Sequence, residues 1–140
     1  MSPEDRGPLD SIVPLGSAKR RRVDERARLT IVTYGLMRQV VEEALVGYDA
    51  GPVEIIDLRS LYPIDWLMIF ESLGRTGHLL VVEPDVKYGG IGAEIVATAA
   101  EHMALRSVRR LGGRRITLPA SSALHHFGMP TPEEILDAVA

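Results

Sequence analysis

Glu83 closes the apolar run Leu79-Leu80-Val81-Val82, and Asp85 follows two residues later. Carboxylates at the end of a buried strand stand where parallel sheets tend to bind ligands, so this pair could hold a cation or order a nearby loop. No complete acid/base pair or ligand set accompanies it, and bonding to neighbouring loop amides is the simpler reading. Gly89-Gly90-Ile91-Gly92 supplies that loop and leads into a helical segment. A helix N-terminus offers free amides and partial positive charge, and glycines let an anion approach them. The spacing matches neither dinucleotide nor Walker loops, and Glu94 in the first turn already favours the dipole, so a plain tight turn suffices. Glu83, Gly89, Gly90 and Gly92 are thus the candidate anion or loop site, and Lys87 and Tyr88 would add to it if they pointed inward.

Other reactive side chains make no site. His78, His102, His125 and His126 lack metal-ligand spacing, and adjacent histidines on an extended chain point to opposite faces. Ser121-Ser122 lies outside any nucleophile-elbow context. Cysteine is absent, which excludes disulfides, thiolate metal sites and cysteine nucleophiles. No catalytic, cofactor-binding or metal residue is assigned.

The elements that would position these groups follow from periodicity. Leu29 to Thr33 is a β-branched strand candidate, and the next segment puts Met37, Val40, Val41, Ala44, Leu45 and Tyr48 on one helical face. Val53 to Leu58 is a second strand. Asp65 is placed to cap a helix running to about Leu73, and Thr76-Gly77 ends it. The run at 79–82 is apolar throughout, as a strand covered on both faces requires. Val108 to Leu111 and Ile116 to Leu118 are further extended pieces, and Thr131-Pro132-Glu133-Glu134 opens a last helix. Alternating strands and helices predict a layered α/β domain. Residues 1–13 have the composition of an unpacked tail, and 14–140 form the expected domain.

Composition sets the remaining bounds. The chain has 140 residues, 46% hydrophobic and 25% charged, close to globular averages. Its formal charge of −3 provides no global field for nucleic acid, and Lys19-Arg20-Arg21-Arg22 reads as a solvated connector before a mixed-charge stretch. No segment approaches the roughly 18 apolar residues of a membrane span, and the N-terminus has no signal-like apolar run, so a cytoplasmic protein without membrane or nucleic-acid partners is expected. Trp66, Leu67, Met68, Ile69 and Phe70 are apolar in succession, more than one helical stripe needs. Trp66 and Met68 are therefore candidates for a subunit contact.

The order of these residues resembles a known family. Val13 to Ala18, Thr30 to Gly35, Ile56 to Leu61 with Pro63 and Asp65, Arg75 to Glu83, Gly89 to Ile95, and Pro130 with Glu133, Glu134 and Ile135 are collinear with the C-terminal domain of beta subunits of pyruvate and branched-chain 2-oxo acid dehydrogenases. The resemblance implies a three-layer α/β/α sandwich around a mostly parallel five-stranded sheet, of the transketolase C-terminal type. It also implies a thiamine-diphosphate-dependent enzyme whose cofactor and Mg²⁺ are held by two other domains. This chain alone would then bind no cofactor, and its partners would be other subunits or domains, in a homodimer or hetero-oligomer. After the fourth strand the chain departs from the family, with Leu111-Gly112-Gly113-Arg114-Arg115 and His125-His126-Phe127 where a proline-rich turn is usual. Arg106, Arg109, Arg110, Arg114 and Arg115 concentrate positive charge there, which would suit acidic partners. An autonomous α/β protein binding a small anion or nucleotide through the glycine loop is the alternative reading.

Overall fold

The computed structural model describes residues 12–48, 51–117 and 127–140. Five strands form one sheet: β1 (Lys19–Arg22), β2 (Leu29–Thr33), β3 (Val53–Asp57), β4 (His78–Val86) and β5 (Ser107–Gly113). The sheet order is β1-β3-β2-β4-β5, parallel throughout except for β1, which runs antiparallel to β3. Four helices connect or close it: α1 (Leu36–Ala44), α2 (Trp66–Thr76), α3 (Ile91–His102) and α4 (Pro132–Val139).

Strand alternation divides the core. Val32, Ile56, Leu79 and Val81 face one side and pack with Ile69 and Leu73 of α2 and Ile95 and Ala99 of α3. Their neighbours Ile31, Ile55, Leu80 and Val82 face the other side, against Met37 and Val41 of α1 and Ile135 of α4. Burial on both faces is why these strands read as continuous apolar runs. The result is the three-layer α/β/α sandwich expected.

Local signals fix the helix ends. Asp65 accepts the Met68 amide at 3.1 Å, and its other oxygen accepts the Ala18 amide at 2.9 Å, so one carboxylate caps α2 and ties down the segment before β1. Helix α2 runs to Thr76, three residues beyond the expected Leu73, and Gly77 closes it in the left-handed conformation, as the Thr76-Gly77 signal predicts. Thr131 and Glu134 form a reciprocal capping box on α4.

Two expectations are corrected. Lys19–Arg22 is the antiparallel edge strand β1, not a solvated connector. Its arginines are held by distant acids: Arg20 by Glu54 and Glu71, and Arg21 by Asp57. Ile116 and Thr117 lie outside any strand, and Leu118 is outside the described residues. The fifth strand therefore comes from the start of the domain. Strand β4 also extends past its apolar run through Pro84 to Val86, with an irregular register against β5 beyond Val82.

Candidate functional site

The chain leaves β2 for α1 on one face and leaves the adjacent β4 for α3 on the other. The carboxyl ends of β2 and β4 therefore flank the crevice where doubly wound sheets place their ligands. Tyr34, Glu83 and Asp85 meet there. Glu83 is fully buried. One oxygen accepts the Gly92 amide at 2.7 Å and lies 3.5 Å from the Tyr34 hydroxyl, while the other accepts from Arg110 at 2.8 Å. Tyr34 donates its stronger bond, 2.7 Å, to Asp85. Burial first, then this bond and the neighbouring carboxylates, push the Tyr34 phenol well above its ordinary value of 10.0.

Glycine is required around this carboxylate for want of space. A Cβ on Gly90 would meet Glu83 Oε2 at 2.6 Å, and one on Gly92 would meet Oε1 at 2.6 Å. On the strand side, a Cβ on Gly112 would lie 3.1 Å from Glu83 Cγ and 2.9 Å from Lys87 Cα. Gly89 contributes differently, through a turn at φ +80° with open space around it. The first turn of α3 thus already holds an anion, and that anion is the protein's own. A free anion at the Gly92 amide would have to displace a buried, arginine-paired carboxylate.

Two further buried carboxylates are committed in the same way. Glu54 on β3 accepts Ser72 Oγ at 2.6 Å and pairs with Arg75 and Arg20. Thr30 bonds Ser72 and Thr76 at 2.7 Å each and extends this network beneath α2. Asp57 lies 3.1 Å from Arg21 and 3.9 Å from Arg38. Among the described residues no three His, Asp or Glu groups are placed to hold a metal. With each buried carboxylate engaged by arginine, these residues do not fit a Mg²⁺–diphosphate cofactor or the activation of its aminopyrimidine ring.

The other candidates are dispersed. His78 bonds Ser107 at 2.7 Å, linking β4 to β5, and His102 bonds the Thr98 carbonyl at 2.8 Å. His125, His126, Ser121 and Ser122 lie outside the described residues. Trp66 and Met68 are half-buried against the core. Trp66 stacks on Phe70 at 5.9 Å, and Phe70 on His102 at 5.1 Å. The exposed apolar member of α2 is Leu67, 70% accessible, and Tyr62 just before the helix is 94% accessible. Leu15 is also exposed, beside Gly16, where a Cβ would meet Pro63 at 2.8 Å. Sequence reasoning chose Trp66 and Met68 over Leu67 because an apolar run does not say which of its members the core takes.

The arginines after α3 are largely spent within the domain. Arg110 holds Glu83, Arg109 donates to the carbonyls of Asp137 and Ala138 at the end of α4, and Arg114 lies 3.4 Å from Glu134.

A three-layer α/β/α domain in sheet order β1-β3-β2-β4-β5, with a self-sealed carboxylate at its switch point, defines a structural module. Residues 18–135 match the family model described as "Transketolase, C-terminal domain", and the chain belongs to that family. It is 37% identical to the pyruvate dehydrogenase E1 component subunit beta of Porphyra purpurea, over 98% of this chain and 41% of that protein. It is 30% identical to the 2-oxoisovalerate dehydrogenase subunit beta of Bacillus subtilis, over 90% of this chain and 40% of that protein. The chain thus spans about two fifths of these relatives. A split-gene transketolase, solved as an inactive β4 tetramer, shares the fold at a TM-score of 0.77 and 23% identity, over 95% of this chain and 43% of the other. Among the described residues no helix is long and apolar enough to cross a membrane.

Proposed function

We propose that this chain acts as the C-terminal assembly domain of a cytoplasmic thiamine-diphosphate-dependent enzyme, a 2-oxo acid dehydrogenase beta subunit or a transketolase. Its work is to associate with the domains that seat the cofactor and Mg²⁺, in a homodimer or a hetero-oligomer. The observation that carries this reading is the alignment of 98% of the chain with only 41% of a dehydrogenase beta subunit. The remaining three fifths of such a subunit would provide the cofactor's seat.

The chemistry of the described residues supports the same division of labour. Thiamine diphosphate, when bound by the complete enzyme, would supply an electron sink for cleavage of the bond beside a ketone, and its ring would need a carboxylate free to activate it. Glu83, Glu54 and Asp57 are instead neutralised by Arg110, Arg75 with Arg20, and Arg21 respectively. Their role is to fix the loops at the carboxyl edge and the packing of α2, which keeps a docking surface in one shape.

The test is 2-oxo acid decarboxylation with thiamine diphosphate and Mg²⁺, using pyruvate and 2-oxoisovalerate. The chain alone is expected to show no turnover, and activity is expected when a polypeptide carrying the two cofactor-binding domains is added. Turnover by the purified chain alone would overturn the proposal.

A further inference from the structure

A concavity of about 410 Å³ lies beside the glycine turn, with Gly89 and Arg110 in its wall and Gly92 outside it. Its walls are Val86, Lys87, Tyr88, Gly89, Arg110, Gly113 and Arg115, which include three cations and no carboxylate. The adjoining concavity across Lys87 and Arg110 has Glu134 and Asp137 in its wall, so its charge is largely balanced.

The cations of the first concavity are arranged in different ways. Arg110 is pinned by Glu83 at 2.8 Å and by the Lys87 carbonyl at 2.6 Å, which spends the charge of Glu83. Its Nε is buried and has no hydrogen-bond partner among the described residues. Arg115 lies over the Tyr88 ring at 5.4 Å, a contact that orders both side chains without neutralising the guanidinium. Among the described residues neither Lys87 nor Arg115 has a carboxylate within ion-pair distance. Among the described residues, two cations without an acid partner thus line one concavity, although Arg110 and Arg114 in the same segment are paired with acids. Gly89 has open space where a side chain would stand, so none fills the concavity there, whereas a Cβ on Gly113 would meet the backbone carbonyls of Gly128, Pro84 and Asp85.

We infer that this concavity binds a phosphate or diphosphate group of a small molecule, held by Lys87 and Arg115 with Arg110 as the fixed wall. Guanidinium and ammonium groups around an open space match a compact polyanion, and a charged donor without an acid partner keeps its full attraction for one. The exposed face of Tyr88, 81% accessible, could also take a base or other flat group attached to the phosphate. The inference does not depend on the assembly role, since it concerns a surface that the cofactor-binding domains need not supply.

The experiment is calorimetric titration of the full chain with inorganic pyrophosphate and, separately, with ADP, against sodium chloride at matched ionic strength. Saturable binding of one pyrophosphate is expected. Lys87→Glu and Arg115→Glu should each weaken it by about tenfold or more, while Arg26→Glu, at an exposed site in another loop, should leave it within about twofold. Tighter binding of ADP that Tyr88→Ala removes would identify a nucleoside diphosphate; equal affinity would identify the diphosphate alone. Both Lys87 and Tyr88 are exposed, and circular dichroism verifies that each variant is folded. Absence of saturable binding up to about 10 mM pyrophosphate, or unchanged affinity in the two charge-reversal variants, would overturn the inference.

Discussion

The Glu83 carboxylate occupies the volume that a Gly92 side chain would need, and it accepts the Gly92 amide at 2.7 Å. Strand end and helix start are fitted to each other at this point, and each constrains the other's residue type. Gly92→Ala would put a methyl group 2.6 Å from Glu83 Oε1, with Arg110 holding that oxygen from behind. The expected loss is about 1–3 kcal/mol in urea unfolding, the range for overpacking a core that cannot yield. An alanine variant as stable as the parent would show that the loop gives way freely.

Removing the carboxylate should cost more than crowding it. Glu83→Ala leaves Arg110 largely buried without its counter-charge, and about 3–5 kcal/mol is expected from breaking one side of such a pair. Glu83→Gln retains an acceptor for the Gly92 amide and should fall between the two. Unfolding of the three proteins in parallel checks the order.

Tyr34 makes stability depend on alkaline pH. Its folded pKa is raised above the ordinary 10.0, so below pH 10 both states keep the proton and the stabilisation is complete. Above pH 10 the unfolded chain releases the proton while the folded chain retains it, and stability falls by up to about 1.4 kcal/mol per pH unit. Tyr34→Phe should be less stable at neutral pH and lose stability less steeply above pH 10. Parallel slopes in the two proteins would remove Tyr34 from the account.

Much of this arrangement was legible in the chain, because the responsible interactions are local. The apolar face from Met37 to Ala44, the Asp65 cap and the Thr131 capping box each depend on residues within a few positions, although α1 ends at Ala44 and leaves Leu45 and Tyr48 in the turn after it. Glu83 stood out as a charge ending an apolar run. Strand β1 was hidden for the opposite reason. Lys19-Arg20-Arg21-Arg22 has no alternation of polar and apolar residues, and the acids that hold it, Glu54, Asp57 and Glu71, lie 34 to 51 positions away. Only the sheet order brings them together. The pairing of Arg110 with Glu83 was obscured likewise, since the chain must traverse α3 between them.

We propose the exposed apolar residues before and within α2, Tyr62 and Leu67, as part of the surface that meets a partner. Trp66 and Met68 also support the core, so their substitution would disturb fold and assembly together. Leu67→Glu and Tyr62→Glu touch exposed positions and separate the two effects. Each should leave the unfolding midpoint nearly unchanged, as surface substitutions within about 0.5 kcal/mol do, while weakening association. Unchanged association in both variants would move the docking surface elsewhere.

The most direct test of the assembly role is the mass in light scattering of this chain mixed with a polypeptide that carries the two cofactor-binding domains. A single stoichiometric complex, heavier than either component, is the predicted result. Two species that keep their separate masses at every concentration would contradict it.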